Sequence, residues 1–233
     1  MTSLPFTVSL FLELLLAPGV VGEEEMRLIP GGEFLRGRTH KLPGAKLEDG
    51  LKFFPSALRD ARPLRHLFLD PFHLDQHEVT NQQYAAFLSA TQGKSPHYWP
   101  DGKMAQGKEN HPVVNVTWEE AAAYCTWTGK RLPTEAEWEL ACRGGAESSD
   151  YPWGDREPSK ENARFDVRDG PGAVCQFQPN AFDLCDMAGN VWEWTQDWYS
   201  RDYYGRAPEK NPTGPSHGAY RVMRGGSWAD GAK

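Results

Sequence analysis

Between Asp186 and Trp198 the chain reads Asp-Met-Ala-Gly-Asn-Val-Trp-Glu-Trp-Thr-Gln-Asp-Trp, and this stretch constrains the fold more than any other. Gly189-Asn190 tolerates positive φ and marks a turn. Val191 to Thr195 then alternates, which predicts a strand. In a strand Trp192 and Trp194 share one face, and Val191, Glu193 and Thr195 the other. The expectation is that both indoles enter a core while Glu193 points towards the turn. Asp186, Glu193 and nearby backbone carbonyls then offer the oxygen donors that Ca²⁺ takes. The residues alone leave a second reading open: a tryptophan-rich core strand whose acids are merely solvated.

The chain's 233 residues suit one large domain or two small ones. With 23 Gly, 18 Pro and nine Trp, a loop-rich fold held by aromatic clusters is expected. The net charge of −7 and the scattered basic residues argue against a nucleic-acid partner. Leu4 to Val21 is mostly apolar, with an acceptable cleavage site before Glu23, yet it has no leading Lys or Arg and is broken by Glu13. Residues 1–22 are read as a secretory signal, so a secreted, periplasmic or lumenal protein is expected; a cytoplasmic start is the alternative. The run is too broken for a membrane span. Cys125, Cys142, Cys175 and Cys185 have neither CxxC spacing nor clustered histidines, which argues against structural zinc and leaves three disulfide pairings open.

Along the chain, Met26 to Arg36 reads as strand, Pro-Gly-Gly turn and strand, Thr39 to Pro63 as a surface loop, and Leu67 to Leu74 as a strand. His73 and His77 would lie roughly 13 Å apart in a strand, too far to share an ion. Three helix starts carry the same capping box, Thr80 with Gln83, Thr117 with Glu120 and Thr134 with Glu137. The third helix, Glu135 to Cys142, is closed by Gly144-Gly145. Cys125 and Cys142 fall near helix C-termini, where the dipole disfavours a thiolate. Asn162 to Pro171 is a polar loop, Trp198 to Ala219 another, and Tyr220 to Trp228 a strand entering a Gly-Gly bend.

Several of these stretches together resemble the formylglycine-generating enzyme family, the sulfatase-modifying factors. They include Ile29-Pro30-Gly31-Gly32-Glu33-Phe34, Glu78-Val79-Thr80-Asn81, Gly129-Lys130-Arg131-Leu132-Pro133-Thr134-Glu135-Ala136-Glu137-Trp138, Gly189-Asn190-Val191-Trp192-Glu193-Trp194 and Arg224-Gly225-Gly226-Ser227-Trp228. The resemblance implies an α+β domain over residues 23–233, a C-type-lectin-like variant with little regular structure, apparently lacking its C-terminal segment. It also implies two calcium sites. One uses Asp186, the Gly189 and Val191 carbonyls and Glu193; the other uses Asn162, the Ala163 carbonyl, Asp169 and the carbonyl near Pro171.

The family's chemistry is oxidation of a sulfatase cysteine to formylglycine, with O₂ and a Cu(I) ion held by two thiolates just after the motif that contains Ser227. Here Asp230 stands where the first cysteine is expected, and the second position falls beyond Lys233. A carboxylate is a poor ligand for soft Cu(I). The expectation is therefore a calcium-stabilised module that binds a polypeptide partner or a sulfatase-like substrate without copper chemistry; the alternative is the N-terminal part of an active oxidase. Cys175 and Cys185 match no family role and are left as a disulfide, a free pair or a displaced metal site.

Overall fold

The computed structural model describes residues 26–37, 64–145 and 149–231. The expected signal segment and the whole Thr39–Pro63 loop lie outside the described residues. Strand β1 (Met26–Ile29) pairs antiparallel with β4 (Phe72–Asp75), and β2 (Gly32–Arg36) with β3 (Arg65–Leu69). The single strand expected across Leu67–Leu74 is thus two, broken at Asp70-Pro71. Pro71 has no N–H for a ladder. Opposite it, Gly31 packs so closely that a Cβ there would lie 2.4 Å from the Leu69 carbonyl oxygen. The result is one kinked ribbon whose Ile29, Phe34, Leu67 and Leu69 are buried together.

Helices α1 (Asn81–Thr91), α2 (Trp118–Trp127) and α3 (Glu135–Arg143) each begin in the expected capping box, with Thr80, Thr117 and Thr134 as caps. In each box the hydroxyl accepts from the amide three residues on, and that residue's side chain accepts from the cap's own amide. α3 stops where Gly144 takes a left-handed conformation at φ 60°. Two cores result. The ribbon packs on Ala136, Trp138, Leu140 and Ala141 of α3. α1 and α2 enclose an aromatic core of Tyr84, Phe87, Trp99 and Tyr124, in which the Tyr84 and Tyr124 rings stack 5.9 Å apart.

Strand β5 (Glu193–Trp198) pairs antiparallel with β6 (Arg221–Arg224), and Gly225 and Gly226 form the bend that follows. Here the structure corrects the sequence reading. The strand starts at Glu193, and its buried face is the polar one. Thr195 is 0% and Asp197 1% exposed, whereas Trp192 is 40% exposed and Trp194 only half-buried.

The cause lies beneath β5, where an ionic network takes the place of hydrocarbon. Buried Arg36 meets Glu135 at 2.6 Å; Arg224 meets Glu135 at 2.6 Å and Glu139 at 3.5 Å; Arg143 meets Glu139 at 2.8 Å. Against the opposing effect of burial, Arg224, Arg143 and Arg36 hold the Glu139 carboxyl down to about 2. Asp197 Oδ2 accepts from the Glu135 amide at 2.9 Å, at the positive end of α3. The segment read as loop after Trp198 contains a short helix, α4 (Tyr203–Arg206). Its Tyr204 enters the same network: the hydroxyl donates to Glu139 Oε2 at 3.0 Å, and the Arg36 guanidinium lies 3.8 Å above the ring.

Candidate metal centre

The turn before β5 is fixed by backbone contacts that leave no room for a side chain at Gly189. Gly189 has φ 86°, and a Cβ on it would lie 2.5 Å from the Arg164 carbonyl oxygen. Its N–H donates to the Gly225 carbonyl at 2.9 Å. Asn190, at φ 55° and 2% exposed, joins four segments. Its N–H donates to the Arg164 carbonyl and its own carbonyl accepts from Trp228 N–H, both at 2.8 Å. In the side chain, Oδ1 accepts from Gly172 N–H at 2.9 Å and Nδ2 donates to Glu78 Oε1 at 3.1 Å.

Around this hub stand three carboxylates. Glu193 Oε2 accepts from the Trp138 indole at 2.9 Å, and Asp186 Oδ2 accepts from Cys175 N–H at 2.7 Å. Glu78 Oε2 is buried without a hydrogen-bond partner. None of the three has a Lys or Arg partner among the described residues. Burial, then the charges of Asp186 and Glu193, push the Glu78 carboxyl well above its ordinary range. Burial likewise lifts Glu193 to about 7, and it lifts Asp186 despite the Cys175 amide.

These residues fit a hard cation. The Val191 carbonyl oxygen and Glu193 Oε1 both lie beside Gly225, 3.4 and 3.6 Å from where a Cβ would stand, and the glycine keeps side-chain atoms away from both oxygens. Among the described residues no three His, Cys, Asp or Glu side chains gather as ligands. A cation held by Asp186 and Glu193 would therefore depend on the Gly189 and Val191 carbonyls, a donor set of oxygens alone, as Ca²⁺ accepts. Calcium would supply charge and cross-linking here. Glu78, Asn190 and Trp138 were not singled out as site residues from sequence; Glu78 and Trp138 entered only within the motifs that carry the family resemblance, and Asn190 as a turn residue.

The second expected calcium set is differently engaged. Asn162 Oδ1 accepts from Ser159 N–H at 2.8 Å, and Ala163 is 3% exposed. The Arg164 guanidinium donates to Asp169 Oδ1 at 2.7 Å and to the Gly170 carbonyl at 2.9 Å. His111 Nδ1 lies 3.0 Å from the Pro171 carbonyl oxygen. A protein cation already faces the loop's carboxylate.

Copper does not fit the described residues. Asp230 Oδ2 accepts from both the amide and the hydroxyl of Ser227, at 2.8 and 2.7 Å, so it caps the bend and cannot offer a soft ligand. Cys175 and Cys185 form a disulfide. Cys125 and Cys142 are free thiols, pushed by burial to about 11 and about 12, far from thiolate at neutral pH.

Beside the centre, between the two cores, is a cavity of about 170 Å³ lined in part by Glu78, Tyr84, Tyr124, Leu132, Trp192 and Trp194. Both tryptophans of the Trp-Glu-Trp run border it rather than filling a core.

The α+β elements, short and joined by long irregular segments, with a glycine-turn centre at the start of β5, define a C-type-lectin-like domain of the formylglycine-generating type. Residues 17–233 match the sulfatase-modifying factor enzyme 1-like domain, and the chain belongs to that family. It is 35% identical over 243 residues to the formylglycine-generating enzyme of Streptomyces coelicolor, covering 81% of this chain and 77% of that enzyme. It is 40% identical over 222 residues to the serine/threonine-protein kinase pkn1 of Chlamydia pneumoniae, covering 88% of this chain. The chain spans only 33% of that relative's length. Among solved structures, PvdO from Pseudomonas aeruginosa superposes with a TM-score of 0.70 at 26% identity, covering 89% of this chain and 83% of that one.

Proposed function

We propose that this chain is a calcium-stabilised module of the sulfatase-modifying-factor family that binds a polypeptide partner and does not perform the family's copper-dependent oxidation. One observation carries the reading: the residue at the expected first thiolate position, Asp230, spends its carboxylate on the amide and hydroxyl of Ser227. The cavity bordered by the exposed Trp192 gives such a partner an apolar foothold. The Cys175–Cys185 disulfide supports an oxidising, secreted or lumenal setting. Among the described residues no helix is long and apolar enough to cross a membrane.

The test is incubation with Cu(I), O₂ and a peptide carrying the Cys-x-Pro-x-Arg sulfatase motif, followed by mass spectrometry. The expected result is an unchanged peptide thiol. Loss of mass corresponding to aldehyde formation, above a no-protein control, would overturn the reading in favour of an active oxidase.

A further inference from the structure

We propose that the Cys175–Cys185 disulfide is a redox lock on the cation site, so that calcium affinity depends on whether this bond is intact. The inference rests on the calcium reading of Asp186 and Glu193 and adds a control to it.

Both ends of the bridged loop terminate on one carboxylate. Cys185 immediately precedes Asp186 in the chain. At the other end, ten residues earlier, Cys175 N–H donates to Asp186 Oδ2 at 2.7 Å. A hydrogen bond to a carboxylate is among the stronger kinds. The disulfide therefore holds the donor of this contact against the residue next to its acceptor. Cys175 and Asp186 both adopt left-handed backbone, at φ 56° and 54°. For non-glycine residues that conformation persists only where surrounding structure enforces it. The base of the loop is anchored as well, because Cys185 N–H donates to the Gln76 carbonyl at 2.8 Å, two residues before Glu78.

The bridge is placed to be read from outside. Cys185 is 3% exposed, whereas Cys175 lies at the surface, where a thiolate can attack. Reduction by dithiothreitol passes two electrons and two protons to the S–S bond, leaving two thiols and the cyclic disulfide of the reagent. The loop then keeps its hydrogen-bonded anchors, among them Cys185 to Gln76 and Asn180 to Ala141, but its covalent tie at Cys175 is gone, so Cys175 can leave its left-handed conformation and Asp186 loses the amide that aims it. Partners that orient a metal ligand are worth on the order of 10–100-fold in metal affinity. Linkage is reciprocal: bound calcium must make the disulfide harder to reduce by the same factor.

The experiment measures calcium affinity of oxidised and dithiothreitol-reduced protein, by calorimetry and by displacement of terbium excited through Trp138. Calcium is expected to bind about 10–100-fold more weakly to the reduced protein. A Cys175→Ser/Cys185→Ser variant is expected to match the reduced value and to ignore reductant, which excludes the buried Cys125 and Cys142 as the source. Equal affinities in the oxidised and reduced forms, with calcium still bound and the circular dichroism unchanged, would overturn the lock alone. Absence of calcium binding by oxidised protein would overturn the calcium reading and this inference with it. Should the variant fail to fold, titration of wild type against the dithiothreitol couple, with and without calcium, decides: coincident midpoints refute the proposal.

Discussion

The indole of Trp138 donates to Glu193 Oε2 across 2.9 Å, so a core residue of α3 aims the carboxylate that opens β5. The oxygen left over, Oε1, lies beside Gly225 together with the Val191 carbonyl oxygen. Calcium binding there is expected to raise the unfolding midpoint. At a hundredfold excess over Kd the gain is about 2.7 kcal/mol if only the native state binds. Thermal unfolding with calcium and with EGTA checks this, and Glu193→Gln should remove the difference. One equivalent of calcium per chain is the expected stoichiometry, because Arg164 already serves Asp169 in the second loop.

Asp197, which is not among the proposed calcium donors, gives a pH dependence of its own. Burial lifts its carboxyl from 3.8 to about 6, the Glu135 amide opposing the shift, and Oδ1 is buried without a partner. A carboxyl raised in the folded state favours folding when protonated. Its contribution is full below about pH 4 and lost as pH rises through 6. The difference is on the order of 3 kcal/mol. Urea unfolding of wild type and Asp197→Asn between pH 4 and 7 should show this component in wild type alone.

Asn190→Ala should cost about 2–4 kcal/mol, because it strips a partner from the Gly172 amide and from Glu78 while both stay buried. Chemical denaturation measures it. A midpoint within error of wild type would mean that the carboxamide does not hold the turn together.

Trp192→Ala should leave stability within about 1 kcal/mol of wild type, as befits a side chain 40% exposed, while Trp138→Ala should cost about 3–5 kcal/mol. The comparison is made by unfolding the two variants side by side. A large loss at Trp192 would place that indole in the core after all.

What the sequence disclosed follows the range of the forces involved. The capping boxes at Thr80, Thr117 and Thr134 are local exchanges across three residues, and every one forms as read. The alternation at Val191–Thr195 correctly separated Trp194 from Glu193 and Thr195, but a period of two does not say which face is inside. That depended on Arg36, Glu135 and Arg224, which come from distant segments and make the space under β5 ionic. Asn190 was legible as a turn residue because left-handed backbone is a local property. Its side-chain bonds to Gly172 and Glu78 were not, since they exist only once three loops have converged.

The network around Glu135 and Glu139 also sets an order of events in the life of the chain. The carboxylates belong to α3, a nine-residue helix whose capping box favours it locally but which relies on tertiary packing for stability. Their guanidinium partner Arg224 arrives 85 residues after Glu139. Until it does, two acids wait with incomplete compensation at a place where water is to be excluded, and burying an unmatched charge is strongly unfavourable. Full compensation of the two acids therefore waits until β6 has been translated, which ties β2, through Arg36, and β6, through Arg224, to the same buried network on α3.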